Sequence, residues 1–281
     1  MAINNFIPTV WSETLFEELE KEYIGVRNCN RDFEGDIKAK GDSVNIVGVG
    51  AVTVFDYTKN TDMSSPETLT DSTRTLSINQ AKGFNFQIDD IDHAQQVPKI
   101  MSAAMRGAAS ALANAADSYI YSLYTQVSEG NTIPKSGVAY TDIIDLLLSA
   151  RQLLEEGNVP ASCETVLEVD PAVASLLLKS KLLSSSSNEE SVEAGYIGNF
   201  VGFKVYTPNN IATATSTTDS KLYHKCYART KRAIAFAEQI SEIEAYRPEA
   251  RFADAVKGLH LYGAKVVYPK EIVLLDLNLA S

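Results

Sequence analysis

The sequence predicts an α+β fold laid out along one long helix, and three observations predict it. A strand-like run, "KGFNFQID", passes through "DIDHAQQV" into an Ala-rich stretch, "PKIMSAAMRGAASALANAADSYIYSLYTQVS". In the first, Phe84, Phe86 and Ile88 alternate with Asn85 and Gln87, the period of a half-buried strand. In the second, Met101, Met105, Ala108, Leu112, Ala115, Tyr119 and Leu123 recur at three and four. A helix from about Lys99 to Val127 would be roughly 44 Å long, a spine rather than a three-turn element. The second observation is a pair of β-rich runs around a polar segment at 58–72, which predicts an extended hairpin. The third is a mixed helix and strand region after residue 138, followed by a return to β.

Each element has its own local cause. Residues 1–36 read as an N-terminal arm. Ser12 suits an N-cap, Glu13, Glu17 and Glu18 sit near the positive end of the helix dipole, and Trp11 and Phe16 form a hydrophobic staple. Leu15, Leu19 and Tyr23 share one face. A helix of roughly 12 to 14 residues is marginal alone, so this stripe must rest on the body or on a neighbouring copy. Residues 37–82 read as the hairpin: "DSVNIVGV", "AVTVFDY" and "TRTLSIN" carry β-branched and aromatic residues. Their polar tip, "TKNTDMSSPETLTDS", is too poor in apolar side chains to form a core. A two-stranded arm is unstable alone in water, so it is expected to lie on a partner.

Residues 83–137 hold the strand and spine helix. Residues 138–240 read as mixed α/β. Thr141 or Asp142 caps "IIDLLLSARQLLEE" and Gly157 ends it. "ETVLEV" is a strand, and Asp170-Pro171 places a cap and an N1 proline before "AVASLLLK". "YIGNFVGFKVYTPNN" is a strand pair and "RAIAFA" a short strand. Residues 241–281 return to β, most strongly at Leu259 to Val267 and Glu271 to Leu275.

Composition narrows the function classes. The chain has 281 residues, 45% hydrophobic and 22% charged, enough for a sizeable core. No apolar run reaches the roughly 20 residues of a membrane span, and "MAINNFIPTVW" has no basic region followed by an apolar core, so a cytoplasmic product is expected. A formal charge of −11 opposes sequence-independent nucleic-acid binding. Cys29, Cys163 and Cys226 are scattered, without C-x-x-C, and read as reduced structural thiols.

Few motifs carry chemistry. Asp89, Asp90, Asp92 and His93 form the best candidate cluster, able in principle to hold a divalent metal or work as an acid/base pair. The simpler reading is that these aspartates satisfy free N–H groups and the dipole where a strand becomes a helix. His224 and Cys226 could face one side of a strand, but two ligands without a second pair make no zinc site. His260 stands alone in a strand and reads as packing. Gly48-Val49-Gly50 looks like part of a dinucleotide fingerprint, yet the run after it is β where that fingerprint needs a helix. Lys59 and Asn60 near the tip read as solvated residues rather than partners in an isopeptide bond. No catalytic, cofactor-binding or metal-ligating residue is assigned, and no cofactor.

The order of parts resembles the major capsid protein of tailed bacteriophages, the fold named after phage Hong Kong ninety-seven and shared with encapsulin shells. The stretches that carry the resemblance are "FIPTVWSETLFEELEK", "DFEGDIKAKGDSVNI", "FNFQIDDIDHAQ", "GYIGNFVGFKVYTPNN" and "EAYRPEARFADAVKGLHLYGAKVV". The resemblance implies an N-arm at 1–36, an extended loop at 37–82, a peripheral domain with the spine helix at 83–137, an axial domain at 138–240 and return strands of the peripheral domain at 241–281. It implies a structural, non-enzymatic subunit that self-assembles through pentamers and hexamers into an icosahedral head. That head would enclose double-stranded DNA without sequence-specific binding and without a membrane. Implied partners are copies of the chain itself, a scaffolding protein, a portal and decoration proteins, with assembly in the host bacterial cytoplasm. The chain starts directly with the arm, so a scaffold fused as a long helical extension is not expected, and the Lys, Asn and Glu trio of cross-linking relatives has no match. Alternatives from the same residues are an encapsulin-like nanocompartment, a ring- or tube-forming adhesin or tail-tube protein, and a metal-dependent hydrolase using Asp89, Asp90 and Asp92.

Overall fold

A computed structural model describes residues 15, 18–19, 22–33, 43–49, 56, 59, 71–89, 100–160, 162–180, 196–217, 219–250 and 252–280. In chain order its regular elements are β1 (Ser43–Val49), β2 (Asp71–Ser77), β3 (Gln80–Asp89), α1 (Ile100–Ser122), β4 (Thr132–Val138), α2 (Ile143–Glu156), β5 (Thr165–Glu168), α3 (Pro171–Lys179), β6 (Tyr196–Phe200), β7 (Phe203–Tyr206), β8 (Thr213–Thr215), β9 (Leu222–Thr230), β10 (Ile234–Tyr246), β11 (Ala253–Val266) and β12 (Ile272–Leu279). The mixture is the α+β class that the sequence predicts.

The strands form three sheets. β1 and β2 make an antiparallel pair, the root of the expected hairpin. Of its expected strand "AVTVFDY" and its tip, all but Asp56, Lys59 and the β2 residues Asp71 and Ser72 lie outside the described residues. β10, β11 and β3 make a three-stranded antiparallel sheet in that order. The third sheet runs β4-β12-β9-β5-β7-β6, with β8 beside β9. Its β4–β12 and β5–β7 pairs are parallel.

The three-stranded sheet shows why β10 and β11 are long. Along them side chains alternate between two faces. Ile234, Phe236, Tyr262 and Ala264 enter the main core with α1, while Ala235, Ala237 and Leu261 meet Ile46, Leu76 and Ile78 of the hairpin root in a second, smaller core. The strand is therefore apolar on both sides here. The expected short strand "RAIAFA" is only the start of thirteen residues, and the strand crosses the boundary expected at 240/241. Gly263 marks the closest crossing: a Cβ placed there would lie 2.3 Å from the Ser77 carbonyl oxygen. Only a residue without a side chain lets the two backbones approach so closely.

α1 buries Met105, Ala109, Leu112, Ala113, Ala116, Ile120 and Tyr121 in the main core, and its Tyr119 meets Tyr262 of the three-stranded sheet edge to face. The buried stripe is centred slightly round from the expected one; Ala108, Ala115 and Tyr119 are half-buried at its margin. The α-helix spans 23 described residues, roughly 34 Å. It tightens into a 3-10 turn at Leu123–Gln126, where the Tyr227 hydroxyl donates to the Tyr121 carbonyl at 2.9 Å and satisfies a terminal acceptor.

The seven-stranded sheet is covered by α2 and α3, whose residues Leu147, Ala150, Leu154, Val173 and Leu177 join the main core. Gly157 closes α2 by donating to the Leu153 carbonyl at 3.0 Å, as expected. Asp142 precedes the helix but makes no side-chain cap; its carboxylate accepts from the Ala139 amide instead. Asp170 does cap α3, accepting from Ala172 N at 3.3 Å with Pro171 in the first turn. β4 and β12 both enter this sheet, so sheet membership cuts across the boundaries expected at 137/138 and 240/241. β12 is buried along most of its length, which suits the interior strand of a sheet rather than a return strand on another. The two-residue turn between β6 and β7 puts Val201 at φ 48°, a costly conformation for a β-branched residue, while its side chain packs against the core.

Candidate functional site

Residues 22–33 form a strap that ties both larger sheets to α1. The upstream helical residues Leu15 and Leu19, with Tyr23, are buried in the main core, so this part of the arm's stripe rests on its own body. Ser12, Trp11 and Phe16, expected to cap and staple it, lie outside the described residues. Further along, Asn30 pairs with Ala235 as a short parallel bridge: Asn30 N donates to Ile234 O at 2.9 Å, and Phe236 N to Asn30 O at 2.8 Å.

Two buried polar clusters hold the strap. In the first, Asp117 of α1 accepts from Ile24 N and Val26 N, each at 3.0 Å. Beside it Arg229 of β9, fully buried, grips Glu168 of β5 through two bonds of 2.9 Å. The same guanidinium donates to the carbonyls of Asn28 and Gly25, and the Asn28 amide donates to Glu168 at 3.1 Å. Burial works against the Arg229 charge, but the Glu168 carboxylate outweighs it and holds the guanidinium protonated. Burial pushes the Asp117 carboxyl up to about 6, opposed by the bonds from the strap amides. In the second cluster, Glu238 of β10 accepts from Tyr23 and, at 2.8 Å, from Arg31, and lies 2.8 Å from His260 Nε2 on β11.

The residues singled out in the sequence are placed differently. Asp89 ends β3 opposite Ala253; Asp90, Asp92 and His93, the rest of the candidate cluster, lie outside the described residues. His224 Nδ1 lies 3.0 Å from Asp170 without hydrogen-bond alignment. Cys226 is fully buried, and burial pushes its thiol up to about 12. Among the described residues no group of three or more His, Cys, Asp or Glu side chains could hold a metal. His260 is not mere packing: it belongs to the Glu238 cluster. Gly48 and Val49 lie in β1, paired with Ser72 and Asp71, and the run expected to follow them lies, Asp56 aside, outside the described residues. Lys59 is exposed, and Asn60 is outside the described residues.

Sequence reasoning missed both clusters. One signal was available: Glu168 stands inside "TVLEV", a run otherwise fit for a strand buried on both faces, and a charge there calls for a partner.

What this arrangement offers is rigidity and surface rather than a reacting group. Cys29 and Cys226 are buried and pushed up to about 12, far from thiolate at neutral pH. Phe252, in the loop between β10 and β11, is 85% exposed, and Tyr140, Leu148 and Leu178 stand out from the other sheet's side of the molecule. No described helix is long and apolar enough to cross a membrane. Exposed apolar side chains standing singly are ordinary on protein surfaces, so the class of protein is decided by its relatives.

Comparison with known proteins gives that class its family. The phage capsid protein family matches residues 72–275, and the chain belongs to it. A solved structure of Mycobacterium phage Che8 is 33% identical, covers 98% of this chain and 98% of its own, and superposes with a TM-score of 0.69. The capsid of cyanophage P-SCSP1u is 16% identical over 92% of this chain and 88% of its own, TM-score 0.66. The capsid of Ralstonia phage GP4 is 11% identical over 94% and 91%, TM-score 0.68, a likeness of fold alone. No curated protein sequence matches. The fold is therefore the Hong Kong ninety-seven type, and the chain is a structural major capsid protein that self-assembles into the shell of a virion.

Proposed function

We propose that the chain closes through pentamers and hexamers into the icosahedral head of a tailed phage around double-stranded DNA. The observation that carries this is identity of 33% to the Che8 structure along nearly the whole of both chains. Head-to-tail contacts that close make rings, and many weak contacts acting together make a shell hard to open. A formal charge of −11 fits a container: a lining that is not strongly basic does not trap a genome as it enters. In this reading the chain has no catalytic activity. It works with a scaffolding protein, a portal and decoration proteins, and assembles in the host bacterial cytoplasm. The division is an N-arm at 1–36, an extended loop at 37–82, a peripheral domain at 83–137 and 241–281, and an axial domain at 138–240, with β4 and β12 completing the axial sheet.

Electron microscopy and light scattering of the protein, expressed alone and with its neighbouring genes, test this. Closed shells of uniform diameter are expected; a small monodisperse oligomer in both cases sinks the reading. Deleting Thr58 to Ser72 should leave a folded subunit that no longer closes, and normal shells from that deletion would refute the role of the loop.

A further inference from the structure

Among the described residues, the buried cluster under the strap holds charges that do not balance. Facing Asp117 are the amides of Ile24, Gly25 and Val26 and the Cys29 thiol from the strap, Tyr121 from α1 and Glu168 from β5, with Arg229 and Tyr227 of β9 beside Tyr121. Tyr23, at the start of the strap, also feels its charge. The thiol and the three phenols stay neutral, all pushed upward by burial. Among the described groups that face Asp117 or one another there, that leaves two carboxylates, Asp117 and Glu168, and one guanidinium, Arg229. Arg229 spends both inner faces of its fork on Glu168. Among the described residues Asp117 is the excess negative charge, 2% exposed and held by neutral N–H donors from the strap. By contrast Glu238, under the strap's other end, is matched by Arg31.

We propose that Asp117 makes the strap a proton-operated latch: seated firmly when the carboxyl is protonated, lifted more readily when it is ionised. The strap covers this carboxyl, so lifting it returns Asp117 to water and to the ordinary carboxylate range near 4. Seated, the same group takes its proton at about 6. Between those limits the seated form binds a proton that the lifted form does not. Lifting is therefore hardest in acid, grows easier as pH rises through the window, and levels off above it. From pH 5 to pH 7 the lifted population should rise about tenfold. The strap joins the residues upstream of Tyr23 to the hairpin root at β1, so one proton sets how firmly both are tethered to the body.

Hydrogen exchange on the full chain as free subunits tests this, corrected for intrinsic rates and with α2 as an internal reference. Protection across 22–33, relative to α2, should fall about tenfold from pH 5 to pH 7, and Asp117→Asn, which keeps an acceptor but no charge, should show a flat profile. Wild-type protection that is flat or rises with pH overturns the latch, as does an Asn variant that keeps the wild-type slope. Should that variant fail to fold, the Asp117 side-chain carbon shift in the wild type decides: a midpoint near 6 supports the latch, and one near 4 overturns it.

Discussion

Arg229 carries its charge where no water reaches it, and four acceptors share the work: both oxygens of Glu168 and the carbonyls of Gly25 and Asn28. Removing one partner of a buried pair leaves the other uncompensated, at a cost of about 3–5 kcal/mol. Arg229→Met should therefore lower stability by about that amount in chemical denaturation, while Arg229→Met combined with Glu168→Leu should recover most of it. A double variant no better than the single would mean that the arginine's hold on the strap carbonyls dominates. Little of this was legible beforehand. Hydropathy reads "ETVLEV" as a strand correctly, but the pattern does not predict β9, which carries Arg229; Arg229 and Glu168 stand 61 positions apart, and the strap amides that complete the cluster carry no side-chain signature.

At the scale of elements, local signals served well where the element is decided locally. α2 and α3, with their periodic apolar faces and terminal Gly157 and Asp170-Pro171, fall where their patterns put them. β10 and β11 outran their patterns because their second face is covered by the hairpin root, a contact made by distant residues such as Ile46 and Leu76. That contact hangs on Gly263. Gly263→Ala would drive a methyl group into the Ser77 carbonyl, so the root must shift off the sheet. The expected outcome is a folded body with raised hydrogen exchange in β1 and β2 and failure to close shells; unchanged exchange there would show that the sheet yields instead.

Taken as a whole, the molecule shares one core across parts that a linear reading lists separately. The main core draws on both larger sheets, on α1 and on the arm residues Leu15 and Leu19. Calorimetry of the free subunit should accordingly show one transition with matching van't Hoff and calorimetric enthalpies; two separated transitions would show that the sheets melt independently. The arrangement of β12 has a consequence in time. Last of the described strands in chain order, it lies between β4 and β9, with β4 about 140 positions behind it. Until Leu279 has been synthesised, β4 has no neighbour and β9 lacks one side of its ladder. A chain still emerging from the ribosome therefore carries an unfinished sheet, completed only when this late strand enters it.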